Sequence, residues 1–355
     1  MSTPAPRPGL SSLAGYYSPQ VTASVRLNSN ESPVAPPDSF VEKLKNALDQ
    51  ISLHRYPDRQ VNALREALAD REGVLPSEIF CANGSDEVLQ SLFLAYGGPG
   101  RSVLIFEPTY ALHSEIARIT GTQVITAERS DDFTLSEEIV SAAITSHQPD
   151  IVMLCSPNNP TGLTEPVEAL HAALDSPSLV LVDEAYGQFA SYRAHDVVDP
   201  TDRERLVTIH TFSKTWALAG LRLGYAVAPS AVVENLELVA MPYHLSSITQ
   251  RAGLLALEGQ DEMEARVLTL KEERQRIEDA MAPLAVKVWP SEANFILFRP
   301  TTLVSNDVWQ GLLDRSVLVR NFSDWPRLDG CLRVTVGTPK ENQAFITALR
   351  EVVGQ

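Results

Sequence analysis

Apolar runs of four or five residues recur through the middle of the chain, at 102–106, 123–126, 151–155, 179–182, 207–210 and 225–228, and each predicts a β-strand. Several are apolar at every position, as strands of a parallel sheet covered by helices on both faces must be. Between them, 61–71, 87–96, 110–120 and 165–174 carry apolar residues three and four apart, the spacing of a helix with one buried stripe. Strand and helix alternate, so this region reads as an α/β unit built on a mostly parallel central sheet flanked by helices.

The pattern shifts after residue 250. A strongly charged helical stretch at 261–282 is followed by short strands at 286–289, 295–298 and 332–336, which predicts a smaller α+β unit. The segment before residue 48 is proline-rich and reads as irregular chain crossing the surface to join that C-terminal unit. The expected division is an N-terminal arm at 1–47 forming part of the small domain, a large domain at 48–260 and a small C-terminal domain at 261–355, for which 355 residues suffice.

Composition narrows the function. With 44% hydrophobic and 21% charged residues the chain is ordinary globular material. Its net charge of −16 opposes general binding to nucleic acid or anionic membrane, so any anionic ligand must be held by a few local arginines. No run approaches the ~18 apolar residues of a membrane helix, and the first ten residues lack a signal-like apolar core, which leads to the expectation of a soluble, cytoplasmic protein. Cys81, Cys155 and Cys331 are far apart and form no Cys-x-x-Cys pair, so neither a disulfide framework nor a metal site is expected. Neither of the glycine patterns of nucleotide-binding loops, Gly-x-x-x-x-Gly-Lys or Gly-x-Gly-x-x-Gly, occurs.

In an open parallel sheet, ligands bind beyond the carboxyl ends of the strands, and the residues just there are rich in chemistry. Ser156-Pro157-Asn158-Asn159-Pro160-Thr161-Gly162 follows one predicted strand, Asp183-Glu184-Ala185-Tyr186 the next, and Thr211-Phe212-Ser213-Lys214 a third, with Arg222 eight residues on. Asn83-Gly84-Ser85-Asp86-Glu87 opens a predicted helix, where free backbone N–H groups suit an anion and where Ser85 and Asp86 also suit a capping box. An acid, a phenol, amides, hydroxyls, an amine and a guanidinium together meet the needs of pyridoxal 5'-phosphate (PLP).

With these motifs the chain resembles the fold-type I PLP-dependent aminotransferases, from about residue 27 to residue 338, and within them the branch that handles histidinol phosphate. The resemblance implies that Lys214 holds PLP as a Schiff base and shuttles the substrate proton. Asp183 would pair with the pyridine nitrogen, while Asn159 and Tyr186 would donate to the phenolic oxygen. Gly84, Ser85, Asp86, Thr211, Ser213 and Arg222 would form the phosphate cup, Tyr110 would stack on the ring, and Tyr56 would reach the phosphate of a second subunit, which implies a homodimer with shared sites. Asn158 reads as a turn residue.

Arg333, in Leu332-Arg333-Val334, matches the family arginine that grips the substrate's acidic group, and Arg320 looks like an additional anion anchor. Two arginines suit a site that takes a phosphorylated amino alcohol in one half-reaction and a 2-oxo acid in the other. Residues 241–246 are expected to line the site near the dimer interface, with His244 as packing or a substrate contact. Asn30 and Tyr17 are expected substrate contacts. The family's usual Asn-Glu-Asn-Pro-Tyr is here Asn30-Glu31-Ser32-Pro33-Val34, and Tyr16 or Tyr17 could supply the missing ring. The implied reaction is exchange of the amino group of histidinol phosphate with 2-oxoglutarate. An aromatic amino acid transaminase or a threonine-phosphate decarboxylase of the same fold stays open. A module that binds PLP without turnover would carry a basic DNA-binding region, which is not found before the first motif.

Overall fold

The computed structural model describes residues 3–5 and 21–354. Its strands are β1 (Val25–Leu27), β2 (Ile79–Ala82), β3 (Ser102–Glu107), β4 (Gln123–Glu128), β5 (Ile151–Cys155), β6 (Leu179–Asp183), β7 (Leu206–Thr211), β8 (Gly224–Val227), β9 (Val286–Val288), β10 (Phe295–Pro300), β11 (Val317–Asn321) and β12 (Leu332–Thr335). They form a seven-stranded sheet in the order β2-β8-β7-β6-β5-β3-β4 and a five-stranded sheet in the order β1-β11-β12-β10-β9.

Alternation along β3 shows how the large sheet is covered. Val103 and Ile105 pack on one side with Val88, Leu92 and Phe93 of the helix Ser85–Tyr96 and with Leu236 of the helix Ser230–Val239. Leu104 and Phe106 pack on the other with Val140 and with Leu170 and Ala173 of the helix Val167–Leu174. Both faces are dry, which is why β5 is buried at every residue, whereas edge strand β4 is exposed or half-buried throughout.

The expected parallel order holds for β3 to β7, and β8 departs from it by running antiparallel to both β7 and β2. Only residues 212–223 join β7 to β8, and they contain no long helix to carry the chain back across the sheet. The start of β8 therefore lies beside the end of β7, with the intervening loop held over the carboxyl edge.

One correction falls before residue 48: the segment read as irregular holds the helix Asp38–Leu48, seated through Phe40 and Ala47. Upstream of it β1 pairs in parallel with β11, Val25 opposite Val317. The helix Gln260–Met281 presents Met263, Val267, Leu270, Ile277 and Met281 to a core that includes Phe295 and Val334 of the small sheet as well as Tyr186 and Tyr225 of the large unit. A cleft of about 490 Å³ opens between the two sheets. No described helix is long and apolar enough to cross a membrane.

Candidate active site

The cleft is floored by the carboxyl ends of the parallel strands. Ser85, Asp86, Tyr110, Asn159, Asp183, Tyr186, Thr211, Ser213, Lys214 and Arg222, predicted from scattered motifs, all line it, as do Asn30, Arg320 and Arg333. Gly84 lies at its edge, at the start of the helix Ser85–Tyr96. Tyr17 lies outside the described residues.

At one end, Gly84 is the N-cap with φ +84°, and no side chain caps this helix. That corrects the capping-box reading: Ser85 is inside the first turn, and the helix's first N–H groups are left for another acceptor. Glu87 instead folds back onto Asn83, accepting from its backbone N–H and from its amide nitrogen at 2.7 Å. Arg222, itself at φ +50°, extends alongside the turn, its Nη2 donating to Asp86 at 3.2 Å and its Nη1 to Ser213 at 3.5 Å. The approach is close enough that a Cβ on Gly84 would fall 2.6 Å from Arg222 Nη2. Thr211 Oγ1 donates to Ser213 Oγ at 2.9 Å. Backbone donors, two hydroxyls and a guanidinium thus converge as a cup for a phosphate.

Asp183 ends β6 almost fully buried. One of its oxygens accepts from Ala185 N at 3.0 Å, and the other lies 2.9 Å from His113 Nε2. His113 was not singled out in the sequence, although it stands one helical turn beyond Tyr110; the two rings meet edge-on with centroids 5.4 Å apart. A carboxylate backed by a buried imidazole is equipped to hold a protonated ring nitrogen. Asn158 proves to be more than a turn residue, because its fully buried amide accepts from Thr109 Oγ1 at 2.7 Å and donates to Pro108 O at 3.1 Å, tying the Tyr110 loop to the Asn159 loop.

Lys214 sits above this floor, its Nζ 5.7 Å from the Tyr186 ring centroid. Desolvation, and then the Arg333 charge, lower its amine to about 8, so a neutral, nucleophilic fraction exists near neutral pH. Burial pushes the Tyr186 hydroxyl well up, which keeps it a donor. Arg333 bonds the Asn159 side chain and donates to Asn28 O at 3.1 Å, with its guanidinium over Phe295 and Phe322. Asn30, expected to touch substrate, is held at φ +55° with its amide donating to Tyr186 Oη at 2.9 Å and its carbonyl accepting from Thr335 at 3.0 Å. Its side chain therefore orients Tyr186 and couples β1 to β12.

Two groups expected at a subunit boundary lie outside this chain's own cleft. Tyr56 is 81% exposed, stacked on Tyr243 at 4.5 Å, and outside the cleft of its own chain. Residues 241–246 do not line the cleft either: Met241 and His244 border a separate hollow, and His244 Nε2 is spent on Cys81 O at 2.8 Å. The sequence also gave no weight to Phe322 and Trp325, which close the cleft beside Arg320.

A phosphate cup, a buried acid facing the cleft and an amine within one cavity fit a phosphorylated pyridine aldehyde. Residues 22–349 match the aminotransferase class I and II family. A histidinol-phosphate aminotransferase of Frankia casuarinae is 43% identical, spanning 97% of this chain and 89% of its own. Another, from Thermobifida fusca, is 42% identical over 98% of this chain and 95% of its own. The solved structure of histidinol-phosphate aminotransferase from Sinorhizobium meliloti with pyridoxal-5'-phosphate matches at a TM-score of 0.89, over 99% of this chain and 98% of that one, a likeness of fold at 23% identity. The chain belongs to the class I and II aminotransferases, alongside the histidinol-phosphate aminotransferases.

Proposed function

We propose that this protein exchanges the amino group of histidinol phosphate with 2-oxoglutarate, giving imidazole-acetol phosphate and glutamate, with PLP held in the central cleft. When bound, PLP supplies an electron-withdrawing ring and a carbonyl that accepts amines. Lys214 anchors it and moves the proton at the reacting substrate carbon, a task suited to an amine at about 8. Asp183, steadied by His113, holds the proton on the ring nitrogen. Asn159 and Tyr186 donate to the phenolic oxygen, and Tyr110 packs on the ring. The Gly84-Ser85-Asp86 turn, Thr211, Ser213 and Arg222 hold the phosphate.

The observation that carries the substrate reading is the placement of Arg320 and Arg333 on neighbouring strands, their Cα positions paired across β11 and β12, with both side chains in the cleft. Two guanidiniums side by side suit a phosphate monoester and, alternately, a dicarboxylate. The exposed Tyr56–Tyr243 pair, together with exposed Leu53, Leu238 and Met241, supports a homodimer in which Tyr56 serves the neighbouring site. β1 within the small sheet supports the division into 1–47 with 261–355 and 48–260 as two domains. Three buried free thiols support a cytoplasmic home.

The test is to mix PLP-loaded protein with histidinol phosphate without an acceptor and follow the cofactor absorbance. Conversion to the amino form of the cofactor, reversed by 2-oxoglutarate, is expected. Conversion by phenylalanine or tyrosine but not by histidinol phosphate would replace this reading with an aromatic transaminase.

A further inference from the structure

After the residues assigned to the cofactor are set aside, the cleft wall holds two aromatic side chains among those described, Phe322 and Trp325. They are not equivalent. Phe322 is 5% exposed, and both Arg320 and Arg333 lie over its ring, at 5.8 and 5.3 Å from the centroid. It is a shelf that sets the arginines. Trp325 meets Phe322 edge-on at 5.1 Å and 82°, packs on the cluster of Phe133, Trp289 and Leu328, and stays half-buried, bordering the cleft on one side and a smaller hollow beside Trp309 and Arg320 on another.

The segment that carries Trp325 is fixed at both ends. Trp325 N donates to Phe322 O at 2.9 Å, and Leu328 N to Trp325 O at 3.0 Å. Two residues on, Arg327 crosses to the large unit, where its Nη1 donates to Arg129 O at 2.6 Å and its Nη2 to Ser130 O at 3.2 Å. An indole is thus held at a set place beside the anion-gripping arginines, rather than swinging freely at the cleft mouth.

We propose that Trp325 is the specificity-determining wall for the amino donor, packing on its heteroaromatic ring while Arg320 and Arg333 hold its phosphate. This rests on the histidinol-phosphate reading and deepens it. The two substrates share an anionic end, so the arginines cannot tell them apart; only the donor has a ring, and a flat π surface next to the arginines rewards that difference. 2-Oxoglutarate gains nothing from the indole. Arg327 is a positioning residue that acts through Trp325.

The test uses PLP-loaded protein and two phosphates that cannot react: 3-(imidazol-4-yl)propyl phosphate, which keeps ring and phosphate without the amine, and propyl phosphate. Their dissociation constants are measured by calorimetry for the wild type, Trp325→Ala and Trp325→Phe. Ring packing predicts that Trp325→Ala weakens the imidazolyl ligand roughly 3- to 10-fold. Propyl phosphate should stay within about twofold and Trp325→Phe should recover most of the loss, as a packing surface rather than a polar contact requires. Equal weakening of both phosphates would mean a merely structural tryptophan, and equal binding of both by the wild type would mean no ring wall; either overturns the proposal. Turnover of histidinol phosphate by the wild type reports separately on the parent reading, so a wild type that turns it over yet binds both phosphates alike sinks the tryptophan argument alone.

Discussion

Gly224 opens β8, opposite Ala82 on one side and Thr211 on the other, and it is where the large sheet touches the phosphate cup. A Cβ placed there would lie 2.5 Å from Gly84 C and from Ser85 N, and 2.9 Å from Gly84 Cα. All three are backbone atoms, so no rotamer change relieves the clash, and either β8 or the Gly84–Ser85 turn must shift. Gly224 is not among the positive-φ glycines, so Gly224→Ala tests contact without dihedral strain. Overpacking in a tight core costs about 1–3 kcal/mol, and rigid neighbours put this case near 3. The turn also aims the helix N–H groups; a hydrogen bond to a charged group is worth about 1.5–3 kcal/mol, so misplacing one weakens PLP retention roughly 10- to 100-fold. Gly73→Ala is the control: φ is +67° with nothing within 4 Å, so it costs about 1–2 kcal/mol of backbone strain and leaves PLP affinity alone. Urea unfolding of the cofactor-free proteins gives the stability differences, and PLP titration gives the affinities. The reasoning fails if Gly224→Ala keeps PLP affinity within twofold of the wild type, or if Gly73→Ala weakens it as much.

Two further outcomes follow from buried charge. Lys214 titrates at about 8 in the fold against an ordinary 10.5, so between those values the unfolded chain binds the extra proton and stability rises with pH. The cofactor-free wild type should therefore gain up to roughly 3 kcal/mol relative to Lys214→Met from pH 7.5 to 10.5, read from paired urea curves; a constant difference across that window refutes the assignment. Arg129 and Glu165, each almost wholly buried, join at 2.5 and 3.0 Å, and Arg129 Nε also donates to Phe106 O at 3.1 Å. Arg129→Met alone should cost about 3–5 kcal/mol by stranding Glu165, whereas adding Glu165→Leu should recover much of it; an additive double variant would show that the charges do not depend on each other.

The central strands were legible because burial on both faces writes itself as an unbroken apolar run: 151–155 was read to the residue, and 179–182 lacked only Asp183. Short edge elements are harder to read. β1 has three residues and owes its state to a distant partner rather than to its own pattern, whereas β2, apolar and buried at all four residues, carried the signal in a run too short to stand out beside the helix that follows it. The helix Asp38–Leu48 did carry a stripe at Phe40, Leu44 and Ala47, but the prolines before it masked it; Pro37 is in fact the N-cap, where a missing N–H does no harm. In the site, residues next to strand ends were found because chemistry clusters there. His113 and Asn158 work through partners remote in sequence, Asp183 and Thr109, and Trp325 is seated on the distant cluster of Phe133 and Trp289; spacing does not encode those meetings.

The pairing of Val25 with Val317 has a consequence for synthesis. The large sheet spans residues 79 to 227 and can close while the ribosome is still making the rest, but β1 waits for a partner that emerges 292 residues later. At 5–20 residues per second that is roughly 15–60 s during which the first strand is an orphan edge. Its three residues, Val25, Arg26 and Leu27, include a charge in the middle and few apolar atoms, which makes them a poor template for premature pairing with a neighbouring nascent chain. Brevity in β1 is thus a safeguard against aggregation as well as a structural detail.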